Sequence, residues 1–144
     1  MKHLLEPKVH IFIERNNQFL FLKRLNTSCY DGYWCLPTGR VEKNERPTDA
    51  AIRETFEEVG LIIDPHFVAT VYAKIPNVLS ENPKDYEDLC FFFSGKAQGS
   101  PKNCEPEKHD QLQWCSLDNL PTPIMPVVKF GIDCYIQKET YGEL

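Results

Sequence analysis

The sequence predicts an α+β fold, a mixed β-sheet covered by helices. Three observations predict it. Short stretches of alternating apolar residues recur along the chain. Two helical segments interrupt them, one at the middle and one at the end, and the turns between are marked by Asn, Gly and Pro. With 144 residues, 42% hydrophobic and 26% charged, the chain suits one globular domain, expected to span 1–144. Nine Phe, six Tyr and two Trp are too many apolar rings for a disordered chain.

Taken in order, Val9, Ile11 and Ile13 alternate like a strand. Asn16-Asn17 offers a turn, and residues 18–25 return as a second strand, so the pair reads as a hairpin. Residues 26–33 are turn-rich, and 34–39 read as a loop punctuated by Pro37 and Gly39. Residues 47–59 form a helix, with Pro47 suited to its first position and Gly60 to its stop. Strands follow over 66–74 and 88–97, separated by a polar, Pro-bearing loop over 76–86. A loop over 100–110 leads to a short strand over 111–116. Pro121, Pro123 and Pro126 bend the connector to a last helix, 127–138, with Val128, Ile132 and Tyr135 on one face.

Charge narrows the function. Sixteen basic and 21 acidic residues leave a net charge of −5, which disfavours long nucleic acids and anionic membranes. A small anionic substrate would need a bound cation to offset the repulsion. The six cysteines form no CxxC pair and cluster with no His, which excludes a zinc site on spacing. The first 17 residues carry Glu6, Lys8, His10 and Glu14, unlike a secretion signal, and no apolar run is long enough for a membrane span. Reduced, core-filling cysteines in a cytoplasmic protein are expected.

The chemistry concentrates on the first helix. At about 100° per residue, Ile52, Phe56 and Val59 share one side and are expected to pack on the sheet. Glu54, Glu57 and Glu58 gather roughly opposite, as i, i+3 and i+4 neighbours. Such a cluster on an arbitrary helix is usually a solvated acidic face, and Arg53 can neutralise Glu57 across one turn. Carboxylates so spaced also suit hard divalent cations such as Mg²⁺.

The surrounding spacing decides between these readings. Gly39, five residues, Glu45, seven residues, then Arg53-Glu54-Thr55-Phe56-Glu57-Glu58-Val59-Gly60-Leu61 resembles the Nudix hydrolase signature, Gly-x5-Glu-x7-Arg-Glu-U-x-Glu-Glu-x-Gly-U with U usually aliphatic. All fixed positions match, and Thr55 replaces one U. Outside this box, Trp34-Cys35-Leu36-Pro37-Thr38-Gly39 looks like the family's Trp-x-Leu-Pro-Gly-Gly approach, with Thr38 in place of a Gly. Leu112, Trp114, Leu117, Leu120 and Pro121 are similar to its tail.

The resemblance implies an α/β/α sandwich with a mixed sheet and a small MutT-like enzyme that cuts a phosphoanhydride. The implied substrate is a nucleoside triphosphate or another nucleoside diphosphate linked to X. It further implies Glu57 and Glu58 as metal ligands, Glu54 as ligand or general base, and Arg53 as the group that orients a neighbouring carboxylate. Glu45 would support the loop–helix junction, and the backbone carbonyl of Thr38 or Gly39 would complete a Mg²⁺ site in which Mn²⁺ can substitute. The expected catalytic set is Glu54, Arg53 and Glu57, and the metal set Glu54, Glu57, Glu58 and Gly39. Lys23, Arg24 and Arg40 lie near the mouth as phosphate-binding candidates. Glu105, Glu107, Glu87 and Asp88 compete as a further acid outside the box, with Arg24, Arg40 and Glu107 taken as the substrate-binding set. Tyr33, Trp34, Phe91, Phe93 and Trp114 are read as core before base-stacking groups, and His10, His66 and His109 receive no chemistry. Partners are a small nucleotide, no nucleic-acid polymer and no membrane, in a monomer or homodimer. The alternatives are a non-catalytic nucleotide-binding module of the same fold and an isopentenyl-diphosphate isomerase, for which Cys29 is the faint hint.

Overall fold

A computed structural model describes residues 3–75 and 86–144. Strand β1 (Glu6–Arg15) turns at Asn16 and Asn17 into β2 (Gln18–Arg24). Both asparagines take positive φ (52° and 61°), the geometry a two-residue hairpin needs to match strand twist. Two short strands follow, β3 (Trp34–Cys35) and β4 (Thr38–Arg40), then helix α1 (Pro47–Val59). Strands β5 (His66–Ile75), β6 (Tyr86–Lys96) and β7 (His109–Cys115) precede helix α2 (Pro126–Gln137) and a last strand β8 (Tyr141–Glu143).

One mixed sheet runs in the order β3-β2-β1-β6-β5-β8, with β4 paired to β1 and β7 to β2. The central β1–β6 pair is parallel, and so is β5–β8, while the remaining pairs are antiparallel. The helices cover opposite faces. Gly131 of α2 abuts the Phe92 ring, whereas Gly95, of opposite parity on the same strand, abuts Ile63 just after α1. The fold is therefore an α/β/α sandwich around the fully buried Val9, Ile11, Ile13, Leu20, Leu22 and Phe92.

The structure departs from the sequence pattern in several places. The stretch expected as loop contains β3 and β4, because Trp34 and Cys35 are buried and pair with Lys23 and Leu22. The three residues of β8 are too few to show a period, so no sequence pattern marks it. β7 starts two residues before 111. Of the loop expected over 76–86, residues 76–85 lie outside the described residues, and Tyr86 belongs to β6.

The largest correction concerns α1. Ile52 (38% exposed) and Phe56 (58% exposed) face outward, and the buried side is Ala50, Ala51, Thr55, Glu58 and Val59. The space between α1 and β4 is taken by a long acidic side chain: a Cβ on Gly39 would fall inside the Glu54 carboxyl group. Thr55 tolerates full burial because its hydroxyl donates to the Ala51 carbonyl at 2.8 Å. The same rotation turns Glu54 and Glu58 inward.

Candidate active site

The site begins at the β4–α1 junction. Gly60 ends α1 in the left-handed region (φ 71°), and its N–H donates to the Phe56 carbonyl. Two residues earlier, Glu58 is nearly buried, and its Oε2 accepts the Thr38 N–H at 3.3 Å. Thr38 sits in ordinary strand geometry, its hydroxyl donating to the Val9 carbonyl at 2.7 Å, so the Gly the family pattern would place there is not needed for backbone freedom.

Arg53 is the hub. Its Nε and one terminal nitrogen grip both oxygens of Glu45 at 2.7 and 3.0 Å, a fork that matches a carboxylate in plane. That same nitrogen donates to the Arg40 carbonyl at 3.0 Å. The other terminal nitrogen donates to Glu54 at 2.8 Å and Glu57 at 3.2 Å. Glu45 also accepts the Glu42 N–H at 2.8 Å, which stitches the loop to the helix. The fork holds the Glu45 carboxyl below its ordinary range, and the carboxylates push the Arg53 guanidinium further up.

The other acids are held uncomfortably. Burial raises Glu58 well above the usual carboxylate range, and repulsion from Glu54 and Glu105 adds to it. Burial likewise raises Glu54, with Arg53 pulling the other way. These groups line a cavity of about 470 Å³ in which five carboxylates (Glu42, Glu54, Glu57, Glu58 and Glu105) face Arg24, Arg40, Arg53 and Lys108.

Among the described residues, no three Asp, Glu, His or Cys side chains stand close enough together to hold an ion as they are. The donor chemistry nonetheless fits a hard divalent cation: Glu54, Glu57, Glu58 and Glu105 offer oxygens only, and the crowding that raises Glu58 is what a cation would relieve. Gly39 lines the same cavity, with room for the Glu54 carboxyl against its Cα.

The structure sorts the remaining candidates. Arg24 and Arg40 line the cavity. Arg24 donates to the Cys29 carbonyl at 3.1 Å and leaves its buried Nε unpartnered, while Arg40 pairs with Glu6 on the surface. Lys23 is not among the lining residues. Neither is Glu107: it sits exposed at the tip of a turn whose base is Glu105, where the Lys108 and His109 N–H groups both return to the Glu105 carbonyl. That turn points Glu105 inward, so Glu105 replaces Glu107 as the loop acid of this cavity. Pro106, directly after Glu105, is the only local hint of the turn in the sequence. Lys108 pairs with Glu105 at 2.9 Å. His109, given no chemistry from sequence, is buried on the cavity wall with Nδ1 unpartnered. Only its burial, invisible in one sequence, would have marked it. Asp88 and Glu87 lie on β6, away from this cavity. All six cysteines are free thiols. Among the described residues no helix is long and apolar enough to cross a membrane.

Comparison with known proteins bears on the family and the fold. The family description "NUDIX domain" matches residues 4–131. A Rickettsia conorii protein named RNA pyrophosphohydrolase is 30% identical over 139 residues, covering 87% of this chain and 85% of its own. A Bacillus subtilis protein named putative 8-oxo-dGTP diphosphatase is 30% identical over 116 residues, covering 81% and 69%. The crystal structure of a MutT NUDIX hydrolase from Burkholderia pseudomallei superposes with a TM-score of 0.80 at 24% identity, covering 91% of this chain and 98% of that one.

Proposed function

The chain belongs to the NUDIX domain family, and from that premise we propose that residues 1–144 act as one Mg²⁺-dependent domain that hydrolyses a nucleoside triphosphate, or another nucleoside diphosphate linked to X. It is a hydrolase of phosphorus-containing acid anhydrides and cleaves pyrophosphate bonds. The substrate and the metal are the proposed part. One observation carries the reading: Arg53 fixes Glu54 and Glu57 on the rim of a cavity whose floor holds the buried, crowded Glu58.

A diphosphate brings several negative oxygens toward a site that is itself acidic. A divalent cation held by Glu54, Glu57 and Glu58 would neutralise that charge and acidify a water. Arg24 and Arg40 face the cavity and would take phosphate oxygens the cation leaves free. Glu54 lines the cavity and would accept a proton from the attacking water. Arg53 keeps that carboxylate aimed, and Glu45 keeps Arg53 in place. The expected substrate is a small nucleotide, because a net charge of −5 repels a longer polyanion.

The test is a nucleotide panel with Mg²⁺, released phosphate being read after coupling to pyrophosphatase or phosphatase. Turnover with Mg²⁺ and little with Ca²⁺, whose looser coordination misplaces water, is expected. Binding without turnover on every nucleotide would instead make the chain a binding module.

A further inference from the structure

A second cavity, of about 230 Å³, adjoins the first and shares Arg24, Thr38, Gly39 and Arg40 with it. Its floor is the central β1–β6 pair. Lys8 donates to Asp88 Oδ2 at 2.9 Å, and Asp88 Oδ1, on a carboxylate only 2% exposed, has no partner. Two residues along β1, His10 is buried against Phe92 (ring centroids 4.7 Å apart) with both nitrogens unpartnered. Tyr30, Met125 and Val127 supply apolar walls. An unpartnered buried carboxylate oxygen is costly unless something hydrogen-bonds to it, so these groups mark a ligand position.

We propose that this second cavity takes the base of the substrate and that the Lys8–Asp88 pair selects guanine. The inference rests on the nucleotide reading above. Phosphates between Arg24 and Arg40 would leave the far end of a nucleotide facing the shared wall. Lys8 Nζ, Asp88 Oδ2 and Asp88 Oδ1 present donor, acceptor, acceptor. Guanine's edge (carbonyl, ring N–H, amino) presents acceptor, donor, donor, the complement at all three places. Adenine and cytosine set a ring-nitrogen lone pair against a carboxylate oxygen, and uracil sets a carbonyl there. Each mismatch leaves a buried acceptor facing another acceptor, the arrangement by which polar sites reject analogues. Burial, with Lys8 and Arg24 nearby, lowers His10 to about 3, so it adds no third charge to the floor.

The test is calorimetry on the intact protein with Mg²⁺ present and GMP, AMP, UMP and CMP as ligands, none of which has an anhydride to cut. GMP should bind at least about tenfold tighter than the others. Asp88→Asn turns one acceptor into a donor and should bring GMP to within about threefold of AMP. The double variant Lys8→Met/Asp88→Asn removes both charges and guards against an unpaired Lys8 unfolding the single one, with circular dichroism as the check. Equal binding of the four nucleotides, no binding of GMP, a preference for another base, or a folded Asp88→Asn protein that keeps the guanine preference would overturn the proposal. Because no hydrolysis is read, a chain that prefers GMP yet cuts nothing would sink the hydrolase reading alone. A chain that cuts all four triphosphates equally and binds the monophosphates equally would sink only this one.

Discussion

Replacing Glu58 by Gln should make the metal-free protein more stable and far less active. The substitution keeps the side-chain shape and an oxygen for the Thr38 N–H, and it removes a charge from a nearly buried position. Glu54 and Glu58 stand one turn apart on α1, at about 5–6 Å. At an effective dielectric of about 20, two like charges at that separation repel by about 3 kcal/mol. Arg53, 2.8 Å from Glu54, offsets part of this. The variant should therefore gain about 1–3 kcal/mol in urea unfolding at neutral pH in EDTA. The pH dependence has a definite sign. Glu58 is raised in the folded state, so its protonated form favours the fold, and that stability is lost as pH rises through the raised value. The gap between wild type and variant should thus close in acid. With Mg²⁺ present, kcat should fall by at least about a hundredfold, from lost stabilisation of the anionic transition state. A variant less stable than wild type in EDTA, or one with wild-type turnover, would refute the view that burying Glu58 beside Glu54 costs stability in the service of catalysis.

Three further outcomes are expected. Gly39→Ala should push the Glu54 carboxyl aside and lower kcat by at least about tenfold with the fold intact, read by steady-state kinetics and circular dichroism; unchanged kinetics would show that Glu54 does not need that space. Phe56→Ser on the outer face of α1 should change unfolding free energy by no more than about 0.5 kcal/mol, whereas a loss of about 3 kcal/mol, as for a core Phe, would show that the ring is buried after all. His10 is lowered to about 3 in the fold, so it contributes stability above its ordinary 6.5 that is lost as pH falls toward 3. By pH 4 that loss should reach about 3 kcal/mol, and His10→Phe should lack it in urea titrations at neutral and acid pH.

The α1 reading shows where a single sequence falls short. Hydropathy assigns Ile52 and Phe56 to the core, because each is apolar and four apart. The fold puts Ala51, Thr55 and Glu58 there instead, and the side facing β4 is filled by the Glu54 carboxyl group against Gly39. The Lys8–Asp88 pair is a second case: 80 residues separate the partners, and only the parallel β1–β6 register joins them.

Glu105 and Glu107 make the same point at the scale of one turn. Both are acids in one short loop with equal claims by composition, and the turn closing on the Glu105 carbonyl turns one inward and leaves the other exposed.

By itself the sequence determined the hairpin, the span of α1 with its Pro47 start and Gly60 stop, and the spacing that sets Arg53, Glu54, Glu57 and Glu58 on one helix. Those are local matters, settled by turn chemistry and the 3.6-residue period. The tertiary structure alone decided which side of α1 is buried, which loop acid enters the cavity, and which polar groups of the central sheet are left without partners. Those depend on how closely distant segments approach, and burial is a property of the neighbours, which no single stretch of chain carries.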